Sequence, residues 1–447
     1  MTLAALAVAS AITAAQSHAI DGLVTKTLAS EHIAGATVAV SVRGKIAFES
    51  AYGFADIGSK KRAGIDTAYP IGSITKQFTA ACILLLAQDK KLSLDDPLSQ
   101  YIPGLPWGDR VTLRHLLDQE SGVVDFRLGA IDTSTRLSHG EVVARLAKTD
   151  LLFPPGSRYE YSNSNYYLLG LVIEKVSGQT YSGFLDSRVL KRAGLAATFY
   201  NDGTRADAPL AAGYTSTPNG PQPIAAENAD WGYAAGSIAS TVADLATWDD
   251  ALRTPGLLDA GSLREMFATG TLDSGAATDY AFGWVAVRHN GHRLFWHNGE
   301  VTGFHAMNAV FPDDRTDVIV LTNTGGTFAA DRLALQIFDV AHPFSPSSAD
   351  RAAANRAREW IGRISRGDID RTQLTDQMSA VMTDDIVRSA GAQFRGLGGL
   401  KTIKETGVDE DASGRSYGFD VMFAKRTIHW IMGIDASGKI SAISIGL

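Results

Sequence analysis

Residues 73–89 contain neither glycine nor proline and carry apolar side chains at helical spacing. They include the run Ala80-Ala81-Cys82-Ile83-Leu84-Leu85-Leu86. A helix this apolar has to lie inside a core, so the remaining chain must wrap it. Upstream, residues 36–42 and 46–50 are two β-rich runs joined at Arg43-Gly44-Lys45, which predicts a hairpin. Lys91-Leu92-Ser93-Leu94-Asp95-Asp96-Pro97 breaks the helix, and residues 110–195 are helix-rich with punctuation at Pro154-Pro155-Gly156. Strand-like runs return at 281–288, 293–296, 306–311 and 317–321. Sheet, helices, then sheet again predicts an α+β fold. One antiparallel sheet is shared by both ends of the domain and flanked by helices, the helical middle forms a second lobe, and a cleft between them is the expected place for a site.

A chain of 447 residues exceeds one ordinary core. His342-Pro343-Phe344-Ser345-Pro346-Ser347-Ser348 has linker composition. The predicted bounds are therefore 20–342 for the first domain, 343–350 for a linker and 351–447 for a small α+β accessory domain. The last carries strand-like runs at 400–406, 416–423, 427–434 and 439–445, and no constellation of Ser, His, Cys or acidic residues that points to chemistry. The net charge of −7 comes without a long basic run, which argues against nucleic acid as a partner. The single cysteine, Cys82, excludes an internal disulfide and a multi-cysteine metal cluster and reads as a small buried hydrophobe. No His-Glu-x-x-His occurs, and no cofactor is expected.

Residues 1–20 lack Asp, Glu, Lys and Arg. Their apolar stretch and Ser17-His18-Ala19 suit a secretory signal with a small-residue cleavage site, although no basic residue precedes Lys26. Residues 1–19 are thus a candidate signal segment, with an ordinary N-terminal helix as the competing reading. The first reading implies a periplasmic or secreted protein and the second a cytoplasmic one. Beyond this segment no apolar run is long enough to span a membrane.

Three short motifs carry chemistry. In Ser73-Ile74-Thr75-Lys76 a helix would set the lysine amine one turn from the serine hydroxyl. Tyr161-Ser162-Asn163 offers a phenol that can shuttle a proton and an amide that can orient the lysine and hold a substrate carbonyl, although such a polar stretch also suits a plain turn. His-x-Gly occurs twice. His289-Asn290-Gly291 lies between two strand-like runs, where Asn-Gly is a hairpin signal, so it is read as a turn. His297-Asn298-Gly299 ends a strand and leads into Glu300, so it is read as the site, with His297 adding a donor or a positive charge.

The motifs stand in order, Tyr161 falling 88 residues after Ser73 and His297 falling 136 after Tyr161. In this the chain resembles the penicillin-recognising serine hydrolases, the group of class C β-lactamases, D-alanyl-D-alanine carboxypeptidases, D-aminopeptidases and β-lactamase-like esterases. The resemblance covers residues 20–342 and extends to Ala235-Gly236-Ser237, Phe282-Gly283-Trp284 and Phe311-Pro312-Asp313-Asp314. It implies the β-lactamase/transpeptidase-like fold and an acyl-enzyme on Ser73, acting on a small-molecule or peptide substrate through an amide or ester bond. Lys76 would be the activating partner, Tyr161 the general base, and Asn163, His297 and Gly299 would bind substrate. The backbone N–H groups of Ser73 and Glu300 would form the oxyanion hole. Two departures stand out. His297-Asn298-Gly299 replaces the Lys-Thr-Gly of class C β-lactamases, which makes strong penicillinase activity less expected. Gln119-Glu120 replaces a common His-Thr in Leu116-Leu117-Asp118-Gln119-Glu120-Ser121-Gly122. A catalytically silent sensor of cell-wall peptides on the same scaffold is the alternative reading.

Overall fold

The computed structural model describes residues 12–127, 137–204, 209–225, 227, 228 and 230–446. The chain divides into two compact units, one holding residues up to 286 and 294–341, the other holding 287–293 and 342–447.

The first unit opens with α1 (Ala14–Ser30), capped by Thr13, and the hairpin β1 (Gly35–Val42) and β2 (Lys45–Asp56). The apolar helix α2 (Thr75–Gln88) follows a 3-10 turn over Gly72–Ile74 and is buried continuously from Thr75 to Leu86. Helices at Leu113–Leu117 and His139–Leu146 and α3 (Asn163–Ser177) build the helical lobe. Then come α4 (Val242–Ala251), β3 (Trp284–His289), β4 (His292–Val301), β5 (Phe304–Phe311), β6 (Thr316–Thr322) and α5 (Ala329–Ala341).

The sheet runs β3-β4-β5-β6-β1-β2, so the first strand of the chain pairs antiparallel with the last strand of this unit. Strands β5 and β6 are buried along their whole length, and β1 along all but its last residue, because the sheet is covered on both faces. On one face Phe311 of β5 stacks on Phe338 of α5 at 3.5 Å. On the other Asn308 of β5 donates to Asp249 of α4 at 2.8 Å. The short strand Tyr69–Pro70 pairs with Ile238–Ser240 and delivers the chain into the turn at Ser73.

The second unit contains α6 (Ser348–Arg366), α7 (Asp384–Gly396) and the strands β7 (Leu400–Asp411), β8 (Gly414–Phe423), β9 (Thr427–Asp435) and β10 (Ile440–Gly446). These strands form an antiparallel meander over a core that includes Trp360, Phe394, Phe419 and Trp430.

Three sequence expectations change here. The linker is shorter than 343–350, because Ser347 and Asp350 form a capping box that starts α6 at Ser348. Residues 287–293, assigned by sequence to the first domain, cluster with the second unit. Within that unit the His289 ring meets Asp409 at 2.7 Å and the Asn290 side chain accepts from Val408 N–H at 2.8 Å. Asn290 and Gly291 both take positive φ, 53° and 85°, so the first His-x-Gly is the expected turn. The second His-x-Gly does not end a strand: β4 continues through it to Val301, paired with β5 from Phe295↔Val310 to Val301↔Phe304. Residues 1–11 of the candidate signal segment lie outside the described residues, and Ser17-His18-Ala19 falls within α1. No helix among the described residues is long and apolar enough to cross a membrane.

Candidate active site

Ser73 lines a cleft of about 570 Å³ together with Tyr161, Asn163, His297 and Glu300. The turn at Gly72–Ile74 places its hydroxyl one helical turn from Lys76, whose Nζ lies 2.9 Å from Ser73 Oγ. The Tyr161 hydroxyl reaches the same oxygen at 2.8 Å. Hydroxyl, amine and phenol, far apart in the chain, therefore meet at one point.

Lys76 is completely buried. Its Nζ has two further neighbours, Asn163 Oδ1 and the Ala235 carbonyl oxygen, each at 2.9 Å. Burial holds the amine's pKa well below its ordinary value; Asp125 opposes that shift and Arg127 reinforces it. Burial likewise raises the Tyr161 phenol above its ordinary value, against the hydrogen bond with Ser73, so the phenol keeps its proton. Asn163 is held at both ends: Oδ1 accepts from Lys76, while Nδ2 and the backbone N–H donate to Asp125 at 2.8 and 3.0 Å. In this arrangement the amide orients the lysine.

Two glycines let the backbone cross closely beside Ser73. A Cβ on Gly299 would fall 1.8 Å from the Ile71 carbonyl oxygen and 3.1 Å from Ser73 N, and one on Gly72 would fall 2.7 Å from Glu300 N. Only residues without a Cβ let the two backbones cross this closely, and the crossing brings the amides of Ser73 and Glu300 beside one another. A carbonyl carbon attacked by Ser73 would carry its oxygen towards this pair.

His297 departs from its sequence reading. It is 3% exposed, its Nδ1 lies 2.6 Å from the Asn298 carbonyl oxygen and its Nε2 lies 3.3 Å from the Tyr280 hydroxyl. A carbonyl oxygen only accepts, so Nδ1 carries the hydrogen and Nε2 accepts from Tyr280. Burial, then the nearby Lys76, hold the ring's pKa down to about 3. His297 is therefore neutral near pH 7, so of the two roles the sequence offered for it, a donor or a positive charge, the structure gives no support to the charge.

Sequence reasoning missed three residues that hold these groups: Gln119, Asp125 and Tyr280. Gln119 belongs to the stretch noted for departing from the common His-Thr, which was the available signal. Asp125 and Tyr280 carried none, since each acts through a contact made only in the folded chain.

A serine and a tyrosine that line a cleft and meet a buried lysine amine, beside a close crossing of two backbones and on a sheet flanked by helices, define the class: a serine hydrolase. The chain belongs to the Beta-lactamase family, whose model matches residues 20–342. Among curated proteins it is 27% identical over 319 residues to Protein flp of Staphylococcus aureus strain MRSA252, covering 69% of this chain and 63% of that one. The chain thus spans less than two thirds of the length of that relative. It is 29% identical over 317 residues to Penicillin-binding protein 4* of Bacillus subtilis strain 168, covering 67% of this chain and 70% of that one. The D-amino acid amidase from Ochrobactrum anthropi SV3, solved with L-phenylalanine amide, shares the fold with a TM-score of 0.65 at 24% identity, over 74% of this chain and 99% of that one.

Proposed function

We propose that this chain hydrolyses amide or ester bonds through an acyl-enzyme on Ser73, with neutral Lys76 as the base that takes the serine proton. The observation that carries this is the set of three neighbours around Nζ. A neutral amine has two hydrogens and one lone pair. Asn163 Oδ1, held as acceptor because Nδ2 donates to Asp125, and the Ala235 carbonyl take the two hydrogens. The lone pair is left facing the Ser73 hydroxyl.

As Ser73 Oγ bonds to the substrate carbonyl carbon, its proton passes to Lys76 and the oxyanion settles on the amides of Ser73 and Glu300. Collapse breaks the bond to the leaving atom. Tyr161 gives that atom its proton and regains one from the Lys76 ammonium. Water then attacks the acyl carbon, gives up a proton to the same pair, and frees Ser73. The amidase relative supports an amide as one target, and a peptide bond or simple ester fits the same steps.

The test is the pH dependence of kcat/KM on a neutral nitrophenyl ester. Activity is expected to fall as pH drops through the Lys76 pKa, which burial holds well below the ordinary lysine value, because protonation removes the lone pair. If the phenolate were the base, activity would instead climb only in the alkaline range, since burial raises the Tyr161 phenol above the ordinary tyrosine value. A profile of that kind would overturn the assignment. A silent sensor would give no burst of nitrophenolate at all. A D-Ala-D-Ala peptide, a short ester and nitrocefin compared side by side then rank the bond types.

Because His297 is neutral, His297→Ala is expected to slow a substrate with a free carboxylate and its neutral ester by the same factor, within about threefold. A loss confined to the carboxylate, seen in paired kcat/KM values, would restore a charged role.

A further inference from the structure

We propose that Gln119 is the positioning residue that aims the Tyr161 phenol at the leaving atom, so that its loss is felt in proportion to the leaving group's need for a proton. The inference rests on the proton path given above for Tyr161.

Tyr161 lies outside any helix or strand, just ahead of α3, where Ser162 is extended with φ −139° and ψ 127°. Nothing in regular structure fixes its backbone. Gln119 does so from both sides. Its carbonyl oxygen accepts the Glu160 N–H at 2.9 Å, and its side-chain Oε1 accepts the Ser162 N–H at 3.0 Å. The tyrosine is thus pinned at the residue before it and the residue after it by one amino acid.

The glutamine is itself over-determined. It is fully buried and holds φ 62°, a region that side-chain-bearing residues visit rarely. Its Oε1 also accepts from Asn165 Nδ2 at 2.5 Å. The Asn165 amide is in turn oriented by Ser121, whose hydroxyl lies 2.6 Å from Asn165 Oδ1. With N–H groups on both sides, the Gln119 amide has only one orientation that satisfies its neighbours. A carbonyl oxygen has two lone pairs for two donors, whereas a histidine at this place would offer a single ring nitrogen.

The consequence for chemistry is selective. When the tetrahedral intermediate collapses, the bonding pair goes to the leaving atom. An amine or alkoxide then needs the Tyr161 proton, while nitrophenolate departs as a stable anion without one. A displaced phenol therefore harms anilides and alkyl esters far more than nitrophenyl esters. A general loosening of the fold would slow all of them alike.

The experiment compares kcat and KM of wild type, Gln119→Ala, Gln119→Glu and Tyr161→Phe on a nitrophenyl ester and on the anilide of the same acyl group. Gln119→Ala is expected to lose on the order of 30-fold more kcat on the anilide than on the ester, at similar KM, as Tyr161→Phe does. Gln119→Glu keeps an oxygen for both N–H groups and is expected to recover most of that ratio. Equal losses on the two substrates for Gln119→Ala, or no recovery in Gln119→Glu, alongside a selective loss in Tyr161→Phe, would overturn the role of Gln119 and leave the proposed function standing. Equal losses in Tyr161→Phe would remove the tyrosine's role in proton delivery and the inference with it. Should Gln119→Ala not fold, Gln119→Met, which keeps the volume but offers the Ser162 N–H no acceptor, takes its place: a loss confined to the anilide supports the role, and equal losses on the two substrates refute it.

Discussion

Replacing Ser73 by alanine is expected to lower kcat on an activated ester by about 10⁴-fold or more, the scale on which loss of a nucleophile is felt when its neighbours remain. The fold should not notice. The hydroxyl faces the cleft, and its removal leaves the core of α2 and the backbone crossing at Gly72 and Gly299 as they are. Intact-mass measurement after a fluorophosphonate should give one adduct on the wild type and none on the variant, with unchanged thermal unfolding. An adduct on any other serine, or residual turnover close to wild type, would remove Ser73 from the role.

Lys76→Met gives the second large effect. Methionine fills much of the lysine's space without a lone pair for the serine proton, so kcat should fall on the order of 10³-fold. The same variant also reads the amine's charge state through stability. Folding lowers the Lys76 pKa, so between that value and 10.5 the unfolded chain holds a proton that the folded chain has released. Stability conferred by this site therefore rises with pH across the window. In Lys76→Met the term is absent. The difference in melting temperature between wild type and variant should accordingly shift towards the wild type as pH is raised. The two carbonyl acceptors left without their donor set its offset, but not its slope. A gap that stays constant with pH would mean the amine is charged in the folded protein.

Much of this site was legible because its signals are local. The serine and lysine share one helical turn, and a Gly- and Pro-free apolar run could only be a core helix. The two His-x-Gly copies were separable because Asn-Gly between strands demands the positive φ pair found at 290 and 291. What could not be read depends on neighbours supplied by folding. Asn298 and Gly299 are poor strand formers, so a strand ending at Trp296 was a fair reading, yet pairing with β5 carries them into the ladder. Gly299 is needed there because the Ile71 carbonyl occupies the space of a side chain. The neutrality of His297 follows from burial beside Lys76, and the grip of Gln119 on Tyr161 from a turn that meets the tyrosine some forty residues later in the chain. Neither has a counterpart in composition or spacing.

The order of strands in the sheet has a consequence for how the enzyme is made. The amide of Glu300 sits on β4, and β1, already paired with β2 in the hairpin, finds its second partner only in β6, which ends at Thr322. Until the ribosome has released that strand, Ser73 lacks the Glu300 amide proposed as its oxyanion donor, and the sheet is unfinished. Such long-range pairing makes assembly slow relative to helical proteins. On the proposed mechanism reactivity at Ser73 then waits for that pairing, and the rate of covalent labelling during refolding is expected to follow the closing of the sheet.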